Sequence, residues 1–115
     1  MKSKKIKYLL VVMMFTALSI MSVQAGSDST IFPNGGHGLL NVSRNSASST
    51  AYHEGGLPCY VKMTITMESG YIDYLSPVSG LGNATSIKNN LKYAAGAQST
   101  VMINGITRYL IASAS

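Results

Sequence analysis

The segment LPCYVKMTITMESG, residues 57–70, alternates between apolar and polar side chains along most of its length. Successive side chains of an extended strand point to opposite faces, so a two-residue period separates a buried set from an exposed set. The apolar set is Cys59, Val61, Met63, Ile65 and Met67. The opposite set is Tyr60, Lys62, Thr64, Thr66 and Glu68. The segment therefore predicts a half-buried strand in an antiparallel sheet.

Other β-rich segments flank this central strand and predict an all-β domain over residues 46–115. The tract SASSTAY, residues 46–52, is interpreted as an edge-like strand that a Gly-Gly turn joins to the central segment. The tract YIDYLSPV, residues 71–78, predicts another strand, which Pro77 ends. About five strands with short turns are typical of a small antiparallel β-sandwich or barrel.

The C-terminal part of the chain contains a specific turn signal. Asn104-Gly105 separates STVMI from ITRYLI and predicts a two-residue type I′ hairpin, because both turn positions need a positive φ. Pairing across that turn sets Ile103 opposite Ile106 and Val101 opposite Arg108.

Two segments carry weaker signals. Residues 86–95 are compatible with a short helix capped by Thr85 or Ser86, or with a loop and a poor strand. Residues 26–45 are rich in turn-forming residues, and we predict that they form a flexible N-terminal arm.

The first 25 residues have the three parts of a secretory signal peptide. Four lysines lie between residues 2 and 7, and Tyr8 to Met21 is an apolar run with two interruptions. Val23-Gln24-Ala25 then provides small residues for signal peptidase, so we predict a signal helix that is cleaved between Ala25 and Gly26. Because a membrane anchor needs about 20 apolar residues, the leader predicts a secreted, extracellular protein with no transmembrane segment after processing.

The net charge of +5 on the full chain comes largely from this leader, which holds four of the nine basic residues. Residues 26–115 keep five basic and four acidic residues, a formal net charge of +1. No basic cluster occurs there, so the sequence predicts no nucleic-acid binding. One cysteine cannot close an internal disulfide, and stability must come from sheet pairing and packing or from oligomer formation.

The residues that commonly serve catalysis or metal binding are few and dispersed. Cys59, Met63 and Met67 share one strand face, but a four-residue spacing separates neighbours by ~13 Å, whereas metal–sulfur bonds measure ~2.3 Å. His37 and His53 lack the paired short spacings of zinc sites. We therefore predict no metal, no cofactor and no enzymatic activity. Cys59 is expected to pack in the core, with a bridge to a second chain as the alternative.

The polar side of the central strand is the candidate contact surface. Tyr60 lies on this side with Lys62, Thr64 and Thr66. A tyrosine in such a setting can bind sugars or membrane headgroups through its ring and hydroxyl. Ordinary cross-strand packing is the alternative interpretation.

Taken together, these features resemble the small secreted all-β proteins of Gram-positive bacteria, including the lactococcin 972-type bacteriocins. The similarity lies in the Lys-rich leader, the short mature chain, the tract SASSTAY and the alternating strand YVKMTIT, and within the mature chain it covers most of residues 46–112. The chain differs from those bacteriocins by having no tryptophan and by carrying Cys59. The resemblance implies an effector that acts on another cell's envelope. A structural or adhesive module that binds a surface partner without catalysis is the alternative.

Overall fold

The computed structural model describes residues 24–114. The predicted signal helix falls almost entirely in residues 1–23, outside the described residues, and stays a prediction. The described chain is all-β, as predicted, and contains no helix. Its ten strands are β1 (Gln24–Ala25), β2 (Ser27–Ile31), β3 (His37–Val42), β4 (Ala47–Tyr52), β5 (Pro58–Met67), β6 (Ile72–Tyr74), β7 (Val78–Leu81), β8 (Asn83–Lys88), β9 (Ala94–Ile103) and β10 (Ile106–Ser113).

These strands form two sheets that face each other across one hydrophobic core. The large sheet has the order β1-β10-β9-β5-β6, with β7 also paired with β5, and the small sheet has the order β2-β3-β4-β8. Every pairing is antiparallel except that of β1 with β10. The largest side chains buried between the sheets are Phe32, Leu40, Met63, Ile65, Ile103 and Leu110.

The central strand and the C-terminal hairpin have the predicted structure. The apolar face of β5 is buried from Cys59 to Ile65, with Met67 half-buried at its end. In the hairpin between β9 and β10, Asn104 has a φ of 49° and Gly105 a φ of 84°, the conformation expected of a type I′ turn. The predicted register, with Ile103 opposite Ile106, is confirmed.

The prediction of a flexible arm over residues 26–45 is wrong. This segment supplies β2 and β3, and Phe32, Leu40 and Val42 from it lie in the core. The β domain accordingly includes residues well before the predicted boundary at residue 46. The sequence signal is weak because Gly38 occupies an inward position of β3, where a Cβ atom would lie 2.9 Å from a methyl group of Val101. A glycine therefore fits at that position better than a larger residue. Because glycine has no apolar side chain, the alternating pattern of the strand is hard to see in the sequence.

The strand predicted for residues 46–52 is present as β4, but its predicted place at a sheet edge, joined by a turn to the central strand of the same sheet, is wrong. β4 lies inside the small sheet between β3 and β8, whereas β5 belongs to the large sheet. The inward residues Ala47, Ser49 and Ala51 are small, which suits a place where the two sheets approach closely. The helix considered for residues 86–95 is replaced by the end of β8, a connecting loop and the beginning of β9.

A glycine links the two sheets at each lateral side of the sandwich. Gly26 joins β1 of the large sheet to β2 of the small sheet, and Gly82 joins β7 to β8 in the same way. The N–H of Gly26 donates to Ser113 in the large sheet, and its C=O accepts from Val42 in the small sheet. Both glycines have a positive φ, of 87° and 77°, which favours glycine at these two corners.

Candidate binding face on the large sheet

The outward side chains of β5 lie in the middle of the exposed side of the large sheet. Of the four residues predicted to form a contact surface, Lys62 is exposed, Tyr60 and Thr64 are half-buried, and Thr66 is only 8% exposed. The structure therefore places all four on the predicted side of the strand. Three of them reach the surface, and Thr66 does so very little.

Cross-strand pairing adds residues that the sequence did not connect to this surface. Met102 and Ser79 flank Tyr60, and Gln98 and Tyr74 flank Thr64. Thr100 lies beside Lys62 and pairs on its other side with Tyr109. We call this surface the tyrosine face, defined by Tyr60, Lys62, Thr64, Tyr74, Gln98, Thr100, Met102 and Tyr109.

Tyr74 and Tyr109 are the two exposed tyrosines of the tyrosine face, at 71% and 53%. Both occupy outward positions in strands whose alternation is short or weak. The sequence does not state which side of the sheet each tyrosine faces, and the strand register places both on the same side as Tyr60.

Lys62 is the only formally charged side chain on the tyrosine face. The ion pairs found within residues 24–114 join Arg44 to Glu68 and Lys88 to Asp73, and neither involves Lys62. The described residues also offer its ammonium group no hydrogen-bond acceptor. The charge is therefore available to an anionic group from outside the molecule.

An open groove of about 390 Å³ lies at one end of the tyrosine face, between β5, β7 and the turn of the β9–β10 hairpin. Its apolar lining includes Tyr60, Met102 and Leu81, and Ser79 and Asn104 add polar groups. The remaining lining residues are Pro58, Cys59, Gly80 and Gly105. Leu81 is 79% exposed, so the rim of the groove presents an apolar side chain to solvent.

A hydrogen-bond network supports this end of the sandwich. The N–H of Gly55 donates to Nδ1 of His53 at 3.0 Å, which assigns the ring proton to Nε2. Nε2 then donates to the C=O of Asn34 at 2.9 Å. The side chain of Asn34 in turn donates to the C=O of Ile103 at the base of the hairpin. His53 thus acts as a structural link beside the groove, whereas His37 is exposed on the small sheet.

Cys59 lies against the groove but is almost completely covered, with 2% of its surface exposed. Its thiol is free and donates to the C=O of Leu57 at 3.4 Å. Burial raises the pKa of the Cys59 thiol, and a backbone hydrogen bond from Gly82 offsets part of that effect. The prediction that Cys59 packs in the core is confirmed, and this burial disfavours a bridge to a second chain.

Residues 24–114 contain no group of three His, Cys, Asp or Glu side chains that could hold a metal ion. In the same part of the chain, no helix is long and apolar enough to cross a membrane. Comparison with known protein families, with characterised proteins and with solved structures finds no match to this chain. The resemblance to bacteriocins therefore rests on the sequence pattern, and the function is argued from the tyrosine face.

Proposed function

We propose that the chain is exported, cleaved before Gly26 with loss of the two-residue strand β1 at the end of the large sheet, and acts without catalysis as a bacteriocin-like effector on another cell's envelope. The observation that carries this proposal is the tyrosine face. It places Tyr60, Tyr74 and Tyr109 around one unpaired lysine on the outer side of the large sheet. Tyrosine is enriched at binding surfaces because its ring packs on apolar groups while its hydroxyl forms hydrogen bonds.

The strand that presents Tyr60 and Lys62 is held by hydrogen bonds on both sides. β5 is paired along both edges, with β9 on one side and with β6 and β7 on the other. A partner that binds this surface does not need to order a loop, so little conformational entropy is lost on binding. This preorganisation supports recognition of an extended surface by a domain of modest size.

A structural or adhesive module is the second candidate function, and the outer side of the small sheet favours it. That side presents Ile31, Leu39 and Ile87 to solvent, and its outward positions contain no Lys, Arg, Asp or Glu. An uncharged second face opposite the tyrosine face would let one domain join an envelope to another copy or to a second partner.

The proposal is tested with the full chain, expressed with its own leader in a Gram-positive host and recovered from the medium. The mass of the recovered protein reports whether cleavage falls before Gly26. Growth inhibition and dye leakage of a panel of bacteria, together with co-sedimentation with isolated envelopes, report the activity.

Two variants separate the tyrosine face from the rest of the surface. Tyr109→Ser removes an exposed ring from the tyrosine face, and Tyr52→Ser removes a comparably exposed ring from the outer side of the small sheet. We expect Tyr109→Ser to weaken envelope binding about tenfold, equal to about 1.4 kcal/mol, and Tyr52→Ser to leave it unchanged. Equal losses in both variants would refute the assigned face. Envelope binding without inhibition of any strain would favour the adhesive module.

A further inference from the structure

We propose that the groove and Lys62 together bind an acidic saccharide, with a sugar ring against Tyr60 and Met102 and an anionic substituent at the Lys62 ammonium. This inference rests on the proposed function, because it names the ligand class of the same tyrosine face. It follows from the shape of the groove, the chemistry of its lining and the isolated positive charge beside it.

The shape and lining of the groove suit a sugar ring. Its volume of about 390 Å³ lies within the range of roughly 300–1,000 Å³ that small-ligand sites occupy. A pyranose ring has apolar C–H faces and a rim of hydroxyl groups, so it needs apolar and polar contacts together. Tyr60 and Met102 offer apolar contacts, and Ser79 and Asn104 line the same groove and offer polar groups to the hydroxyl rim.

The polar side chains of the groove are available to a ligand. Within residues 24–114, the Ser79 hydroxyl and the Asn104 amide make no hydrogen bond with another part of the protein. The backbone N–H of Asn104 is already used, since it donates to the C=O of Pro58 and holds the turn in place. The side chains are thus fixed at their base and unpaired at their tips.

The charge next to the groove selects an anion. Lys62 follows Tyr60 by two residues on the same side of β5, which places their Cα atoms ~7 Å apart. A long, flexible lysine side chain spans that distance to a carboxylate or phosphate on a sugar bound at Tyr60. The tyrosine face carries no Asp or Glu that would repel such a group.

An anionic membrane surface would also attract Lys62, but the rest of the face suits it less well. One lysine strengthens binding to an anionic membrane only about fivefold, and surface-bound proteins use clusters of basic residues or inserted apolar groups. The tyrosine face has one lysine, and Thr64, Gln98 and Thr100 interrupt its apolar area. The groove is also concave, so a projecting ligand can enter it, whereas a concave surface does not suit insertion into a bilayer.

The experiment is a titration of the full secreted chain, followed by calorimetry, with three probes. These are tetragalacturonate, its neutral methyl ester and vesicles of phosphatidylglycerol. The variants are Lys62→Gln and its matched control Lys92→Gln, which removes an exposed lysine from the loop before β9. Leu81→Ser, at a 79% exposed position, tests the rim of the groove without disturbing the core.

We expect tetragalacturonate to bind about fivefold more tightly than its ester, as a single exposed charge pair allows. Lys62→Gln should reduce acid binding to the level of the ester and leave ester binding unchanged, and Lys92→Gln should change neither. Leu81→Ser should weaken both saccharides. Circular dichroism of each variant checks that the sheets are intact.

Three results would overturn the inference. These are no binding of tetragalacturonate at about 10 mM, binding to vesicles only, and equal effects of the two lysine variants. Co-sedimentation with envelopes distinguishes this failure from failure of the proposed function. Envelope binding that persists without saccharide binding removes the saccharide alone. Saccharide binding without any attachment to envelopes would refute the envelope-directed function and leave the groove assignment standing.

Discussion

A buried pair of hydroxyl groups forms a hydrogen bond between the two sheets in the middle of the core. Substituting the two serines tests how much this bond contributes to the free energy of unfolding. Ser49 belongs to β4 of the small sheet, and Ser99 belongs to β9 of the large sheet. Both side chains are fully buried, and their Oγ atoms lie 2.5 Å apart. Each hydroxyl therefore depends on the other for a partner in a region without solvent.

Replacing one serine should cost more than the hydrogen bond contributes. A buried hydrogen bond stabilises a protein by about 1 kcal/mol net, whereas a buried polar group left without its partner costs about 1–3 kcal/mol. We expect Ser49→Ala or Ser99→Ala alone to lower the free energy of unfolding by about 2 kcal/mol. The double variant has no unpaired hydroxyl and should lose less than about 1 kcal/mol, so the two effects fall short of additivity by about 3 kcal/mol.

Urea unfolding of the full chain, followed by circular dichroism at equilibrium, measures these free energies. The matched control is the pair Thr50 and Thr85, whose Oγ1 atoms are 3.2 Å apart on the exposed side of the small sheet. Water replaces a lost partner at that position, so Thr50→Val, Thr85→Val and their combination should show a coupling below about 0.5 kcal/mol. Additive losses in the Ser49 and Ser99 variants would refute the reasoning, as would a neutral Ser49→Ala.

Three further predictions concern other parts of the fold. The carboxylate of Asp28, 5% exposed, accepts hydrogen bonds from the N–H groups of Ser29 and Ile111 at 2.9 Å. Asp28→Asn should therefore lower the free energy of unfolding in urea by about 2 kcal/mol. An unchanged urea midpoint would contradict this. Gly105→Ala places an L side chain at a φ of 84°, where the added Cβ atom meets no neighbour. The variant should destabilise the protein by about 1 kcal/mol because of the unfavourable φ alone. A more stable variant would argue against the turn assignment. Because burial covers the Cys59 thiol and raises its pKa, a disulfide reagent should react far more slowly with the native chain than in urea, and equal rates would show that Cys59 is accessible. The raised pKa also means that this group favours the folded state below the pKa of the unfolded thiol and that the advantage is lost as alkaline pH deprotonates Cys59 in the folded chain.

The two elements that the sequence predicted best are those with local signals. In β5, five consecutive alternate positions are apolar, and neighbouring residues alone determine that pattern. The Asn104-Gly105 turn is equally local, because the preference for a positive φ belongs to the two residues themselves. Neither conclusion needed any knowledge of which strands lie next to each other.

The errors occurred where the interior of the protein decides the role of a segment. Small inward residues at Gly38 and Ser49 look like features of an arm or an edge strand, yet a Cβ atom at Gly38 would lie 2.9 Å from Val101 and Ser49 bonds to Ser99 across the core. The Gly-Gly signal after Tyr52 marks a real change of direction, but the chain crosses there from the small sheet to the large one. A turn signal in the sequence does not state whether the next strand joins the same sheet.

The sequence by itself determined the all-β class, the buried face of the central strand, the C-terminal hairpin and the side of β5 on which Tyr60 and Lys62 lie. The assignment of strands to two sheets, the inclusion of residues 26–45 in the core and the placement of Tyr60 and Tyr109 on one face were decided only by the tertiary structure. The physical reason is the range of the interactions. Side-chain alternation and turn conformation depend on adjacent residues, whereas sheet register depends on packing between residues far apart in the chain.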